Sequence, residues 1–156
     1  MNSISDFEDM LQLLEKRKAR YLIVGGLAVL YHAQPRYTKD MDLVVDSSDE
    51  NVNRVNRALA AFGSPFLLDP GHPDQIVQIG VAPDRIDVMV RIDGVDFNEA
   101  FDKRIRDYYG KVLANWIDID SLIRAKRCLS GPRHREDVRV LMKVRKLREQ
   151  GGKGTR

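Results

Sequence analysis

Cysteine is almost missing: Cys128 is the only one in 156 residues, which rules out an intrachain disulfide and any cysteine-rich metal site. Thiol redox chemistry is therefore not indicated. Long apolar runs are missing as well, since none approaches the ~18 residues a membrane helix needs. The N-terminus MNSISDFEDML has acids where a secretory leader would be basic, so the chain reads as cytoplasmic. Histidine is scarce, and of the three residues His32 and His72 read as helix-end or loop histidines rather than ligands. There is no repeat, no low-complexity segment and no internal linker, only a frayed-looking tail EQGGKGTR. Basic and aromatic residues do not interleave regularly, so no stacking platform for single-stranded nucleic acid is suggested. Trp116 and the Tyr108-Tyr109 pair read as core or edge residues.

What is present is an uneven charge. The net charge of +3 hides an end, Ser121 to Arg156, with twelve Lys or Arg against three acids, while residues 1–120 carry fourteen against twenty. An acidic body with a basic end suits a protein that holds cations in one place and phosphates in another. A solvated basic face on an amphipathic C-terminal helix accounts for the composition equally well. The length suits one domain with a single core.

Periodicity predicts an α+β chain. Ser5 and Glu8 match a capping box ahead of Phe7, Met10, Leu11 and Leu14, giving a first helix to about Lys18. YLIV reads as a buried strand broken by Gly25 and Gly26, LAVLYHA as a short buried helix, and MDLVVD as a second strand. Ser47 with Glu50 is a second capping box, opening a helix that presents Val52, Val55, Leu59 and Phe62 to the core until Gly63 ends it. QIVQIGV and RIDVMVR read as a hairpin joined by APD, and KVLANWI as one more strand. A helix SLIRAKRCL capped by Asp118 or Asp120, a Gly-Pro break, and a last helix from about Glu136 to Arg148 complete the pattern. The expected architecture is a small mixed sheet with helices on one side and a helical C-terminal portion.

The acids carry the functional signal. Side chains alternate along a strand, so Asp40 and Asp42 point one way while Met41 and Leu43 point into the core. In RIDVMV, Ile86, Val88 and Val90 share a face and Asp87 lies opposite. If the strands are neighbours, three carboxylates converge, which is costly unless a cation neutralises them. Hard oxygen ligands with room for water and substrate phosphates favour Mg²⁺, or Mn²⁺ in its place. Strand, Gly-Gly, helix also exposes backbone N–H groups that a triphosphate can approach.

The stretch GGLAVLYHAQPRYTKDMDLVV resembles the signature of the DNA polymerase beta-like nucleotidyltransferase superfamily, and is closest in form to the minimal nucleotidyltransferases and their AbiEii-type toxin relatives. VQIGVAPDRIDVMV resembles the segment bearing the third acid, and DSLIRAKRCLSGPRHREDVRVL the C-terminal element. The resemblance runs from about Tyr21 to Leu141. It implies a polymerase beta-like fold, with residues 1–150 as one domain (1–118 catalytic core, 119–150 C-terminal helices) and 151–156 as a flexible tail. It also implies that Gly25 and Gly26 form the phosphate-binding turn, and that Asp40, Asp42 and Asp87 are the metal-binding catalytic acids. Arg36, Thr38 and Lys39 would lie on the nucleotide side. Lys126 matches the lysine of the C-terminal element and Asp137 its last aspartate. Arg133 and His134 stand where relatives commonly have Lys-Asp. The implied reaction moves a nucleoside monophosphate from a nucleoside triphosphate such as ATP to an acceptor hydroxyl, with release of pyrophosphate. A transfer RNA end, a protein side chain, as in toxin-antitoxin relatives, and a small molecule all remain open as acceptors. So does a non-catalytic RNA-, nucleotide- or protein-binding module on the same fold, an antitoxin among them.

Overall fold

The computed structural model describes residues 3–33, 40–81 and 84–151. In chain order these form α1 (Ser3–Lys16), β1 (Tyr21–Val24), α2 (Gly25–His32), β2 (Met41–Val45), α3 (Asp49–Phe62), β3 (Ile76–Val81), β4 (Asp84–Met89), α4 (Phe97–Asp102), β5 (Ile105–Tyr109), β6 (Val112–Trp116), α5 (Ile119–Arg127) and α6 (Pro132–Gly151). One mixed sheet runs in the order β3-β4-β2-β1-β6-β5. Its centre is β2, antiparallel to β1 and parallel to β4.

Strand alternation divides the apolar residues between two cores. Tyr21, Ile23, Met41, Leu43, Ile86 and Val88 face Phe7, Met10 and Leu14 of α1 and Val55 and Leu59 of α3. Leu22, Val24 and Val44 face the other way, toward Val29 of α2, Leu122 and Ile123 of α5 and Leu141 of α6. Helices therefore cover both faces, which corrects the expectation of one covered side. β1 is apolar on both of its faces, Tyr21 and Ile23 on one and Leu22 and Val24 on the other, so each face has to be buried.

Other differences are local. The cap of α3 is Ser48 rather than Ser47: its Oγ accepts the Asn51 N–H at 3.3 Å, while Glu50 turns outward to Arg54. α5 is capped by Asp118, whose side chain accepts the Ser121 N–H. α6 begins at Pro132, because a first-turn proline forfeits no intrahelical hydrogen bond. Neither α4 nor the edge strand β5 is foreshadowed by periodicity. The middle residues of β5, Arg106, Asp107 and Tyr108, are all exposed, so neither face shows an apolar alternation. Trp116 is core, stacked on Tyr31 with ring centroids 4.4 Å apart. Among the described residues no helix is long and apolar enough to cross a membrane.

Candidate active site

The acids lie on the face that carries α2, α5 and α6. On β2, Leu43 and Val45 occupy the α1/α3 core, which turns Asp42 to the opposite face by simple alternation. On β4 the same logic turns Asp87 away from Ile86 and Val88. The parallel pairing then sets Asp42 directly beside Asp87 in register. Asp40 stands just before β2, half-exposed at the rim. The strands are neighbours, so the condition under which the three carboxylates converge is met.

Their environment is electrostatically tense. Burial, then the charges of Asp87 and Asp40, push the Asp42 carboxyl up to about 6, against the pull of Lys126 and Arg85. Burial also raises Asp87, and the Arg85 guanidinium opposes it. Arg85 is the local counter-charge: its Nε lies 3.0 Å from Asp87 Oδ1 and its Nη2 3.7 Å from Asp40 Oδ2. The closer approach is poorly aligned, and Asp87 Oδ1 is buried with no hydrogen-bond partner among the described residues. Arg85 is a site residue that the sequence motifs do not single out. A signal for it is nonetheless present, because a residue two before Asp87 on one strand shares its face.

Gly25 meets this cluster from β1. Val24 pairs with Asp42 across the antiparallel ladder, so the chain enters α2 right beside the carboxylate. Gly25 has φ +67°, and a β-carbon there would stand 2.2 Å from Asp42 Oδ2. Only glycine fits both the left-handed backbone and the space. Val24, the N-cap of α2, makes no side-chain capping bond, so the helix start is not closed by its own cap. Gly26 follows within the same first turn.

Lys126 projects from α5 into the interior, only 6% exposed, with its Nζ 3.2 Å from Asp137 Oδ2 of α6. By pattern alone it would be an ordinary solvated lysine, yet it is buried and near enough for its charge to bear on Asp42. His134 sits half-buried in the first turn of α6, while Arg133, Arg135 and Arg139 are exposed, the last paired with Glu136. Arg36, Thr38 and Lys39 lie outside the described residues. His32 is a buried helix-end residue, its Nε2 2.7 Å from the Ile117 carbonyl oxygen. His72 lies exposed in the loop before β3. Among the described residues no three His, Cys, Asp or Glu side chains are already gathered as a metal cage; at the acid cluster Arg85 stands between two of the carboxylates.

The family model for aminoglycoside-2''-adenylyltransferase matches residues 6–108, which takes in Gly25, Asp40, Asp42 and Asp87 and leaves out Lys126 and Asp137. No curated protein sequence matches the chain. Among solved structures, ANT(2'')-Ia in complex with adenylyl-2''-tobramycin superposes with a TM-score of 0.58 at 15% identity, over 94% of this chain and 95% of that one. The solution structure of the antibiotic-resistance factor ANT(2'')-Ia gives 0.58 at 16%, over 94% and 89%. A Thermotoga maritima protein described as a candidate nucleotidyltransferase gives 0.55 at 12%, over 92% and 89%. At such identities the superpositions establish the fold, and the family model establishes kinship. The chain belongs to the aminoglycoside-2''-adenylyltransferase family, within the polymerase beta-like nucleotidyltransferases.

Proposed function

We propose that this nucleotidyltransferase transfers an adenylyl group from ATP to a hydroxyl of a small acceptor, with Mg²⁺ or Mn²⁺ held by Asp40, Asp42 and Asp87. The observation that carries the reading is the in-register pair of Asp42 and Asp87 with Gly25 pressed against Asp42. The donor set fits a hard divalent cation: three carboxylates share one patch, and a buried Asp87 oxygen lacks a hydrogen bond among the described residues. When bound, such an ion neutralises charge that builds up on the phosphates.

The chain's own residues supply the rest. The backbone N–H groups at Gly25 and Gly26 receive the triphosphate at a helix start that no side chain caps. Lys126, held by Asp137, faces the same patch and offsets the negative charge of nucleotide and acids. By the family resemblance, Arg36, Thr38 and Lys39 would serve nucleotide binding. Asp87 accepts the proton of the acceptor hydroxyl as its oxygen attacks the α-phosphorus; the new O–P bond forms, the α–β bridging P–O bond breaks, and pyrophosphate leaves. Positioning and charge neutralisation provide most of the acceleration. Residues 1–150 act as one catalytic unit in this reading, which the packing of α5 and α6 on the acid-bearing face supports.

The family makes an aminoglycoside hydroxyl the first acceptor to test. A second reading, an RNA or protein acceptor as in toxin-antitoxin relatives, or RNA binding without turnover, draws on the exposed Arg133, Arg135 and Arg139 of α6. Incubation with α-labelled ATP and Mg²⁺, in parallel with tobramycin, cell RNA and cell protein, separates them. Label transfer to tobramycin that disappears in Asp40→Ala supports the first reading, and transfer to RNA or protein supports the second. Nucleotide binding without label transfer in any arm favours the binding module.

A further inference from the structure

The positive charge nearest the acids comes from the chain itself. Arg85 and Asp87 lie two apart on β4 and share its face, and the guanidinium reaches Asp87 at 3.0 Å and Asp40 at 3.7 Å. It thus spans two of the three carboxylates in which a divalent ion would sit. A guanidinium and a divalent ion compete for that patch, because two positive charges held within a few ångströms of each other repel.

We propose that Arg85 is a resident counter-cation and that divalent metal binds by exchange with it. Resting on the metal reading above, the exchange has two steps: the guanidinium leaves Asp40 and Asp87, and the ion takes the oxygens it releases. The pairing is built to be given up. Its shorter arm is misaligned, so neither Arg85 Nε nor Asp87 Oδ1 has a hydrogen bond among the described residues. The Arg85 side chain also keeps 32% of its surface exposed, so leaving exposes little that was fully desolvated. Across the β3–β4 ladder Arg85 pairs with Gly80, so no side chain from that position holds the guanidinium in place.

The exchange has a functional consequence. Metal alone has to displace a charge, whereas metal arriving with nucleotide brings phosphates to which the freed guanidinium can turn. Arg85 therefore keeps the acids paired until nucleotide and metal arrive together. It is a positioning residue, acting through Asp40 and Asp87.

Two readouts test this without turnover. In Mn²⁺ titrations of nucleotide-free protein, Arg85→Gln should bind the ion about tenfold more tightly than wild type, the scale on which one modest competing ion pair shifts an equilibrium. Arg85→Lys, which retains the charge and controls for folding, should stay closer to wild type. In ¹⁵N-labelled wild type, the Arg85 Nε–H resonance, identified by its absence from Arg85→Gln, should move as Mg²⁺ with a non-hydrolysable ATP analogue is added. Equal Mn²⁺ affinity in Arg85→Gln and wild type, or an unmoved resonance at saturating Mg²⁺ and analogue, overturns the exchange. Failure of both proteins to bind any divalent ion overturns the metal reading along with it.

Discussion

Gly25 touches Asp42 so closely that the two residues form one element: a β-carbon on residue 25 would lie 2.2 Å from the carboxylate oxygen Oδ2. The antiparallel pairing of Val24 with Asp42 enforces that approach, so the glycine turn and the acid are fixed relative to each other. Gly25→Ala should accordingly fail twice. The left-handed φ of +67° costs an alanine about 1–2 kcal/mol, and the overlap forces Asp42 aside. The expected outcome is a lower chemical-denaturation midpoint together with loss of ATP binding by calorimetry. An alanine variant that folds and binds ATP like wild type would separate the glycine from the acid.

Asp42 makes the metal-free protein respond to pH. Its carboxyl titrates near 6 in the fold against 3.8 as the reference, so between those values the folded state holds the proton more tightly than the unfolded state does. Stability from this group therefore falls as pH rises from about 4 to about 6, by at most roughly 3 kcal/mol. His32 acts with the opposite slope: burial lowers its affinity for a proton, so its stabilisation is lost as pH falls below about 6.5. The difference between wild type and Asp42→Asn cancels the His32 contribution, which both proteins share. Urea denaturation in chelator should show the Asp42→Asn variant gaining on wild type from about pH 4 to about pH 6 and holding that advantage above it.

Divalent ions should reverse the ranking. With Mg²⁺ or Mn²⁺ present, wild type should gain melting temperature by mass action on the native state, and Asp42→Ala should not. Thermal denaturation with and without metal checks this. A metal response retained in Asp42→Ala, with marked destabilisation of the metal-free variant, would assign Asp42 to structure instead.

Lys126 and Asp137 are both buried, 6% and 4% exposed, and meet at 3.2 Å. Removing Asp137 takes its ion-pair partner from the buried Lys126, so Asp137→Ala should lose about 3 kcal/mol. The double variant Lys126→Met, Asp137→Leu should recover most of that, because two apolar side chains need no partner. ATP affinity should not recover with it. Denaturation and binding measured on the same three proteins distinguish a stabilising pair from a nucleotide-positioning one.

Charge removal at Arg135 and Arg139 should leave ATP affinity unchanged, because both side chains are exposed and Arg139 already pairs with Glu136. If RNA is the acceptor, the double alanine variant should bind it more weakly, with a salt slope shallower by about 0.7 for each phosphate that the two arginines neutralise in wild type. A flat slope in wild type leaves these residues as solvated surface.

The strands, the acid triplet and the glycine turn are legible in the sequence because alternation is a local rule. Once Met41, Leu43, Ile86 and Val88 are assigned to a core, Asp42 and Asp87 have one face left to them. Edge strand β5 is illegible for the converse reason: its middle residues face water on both sides, so no period distinguishes it from a loop. The cap of α3 falls one residue later than the capping box suggests, on Ser48, because adjacent serines offer the same oxygen and only the entering backbone chooses between them. Local periodicity cannot report which strands become neighbours, and on that the site depends. The β2–β4 pairing that sets Asp42 beside Asp87, the β1–β2 pairing that presses Gly25 onto Asp42, and the burial of Lys126 against Asp137 are long-range events. So is the reach of Arg85 to Asp40, which joins residues 45 apart in the chain. The sequence by itself determined which residues carry charge and which way each strand turns them; the tertiary structure decided which charges meet, because only closing the sheet and packing helices on both faces brings distant segments within a few ångströms.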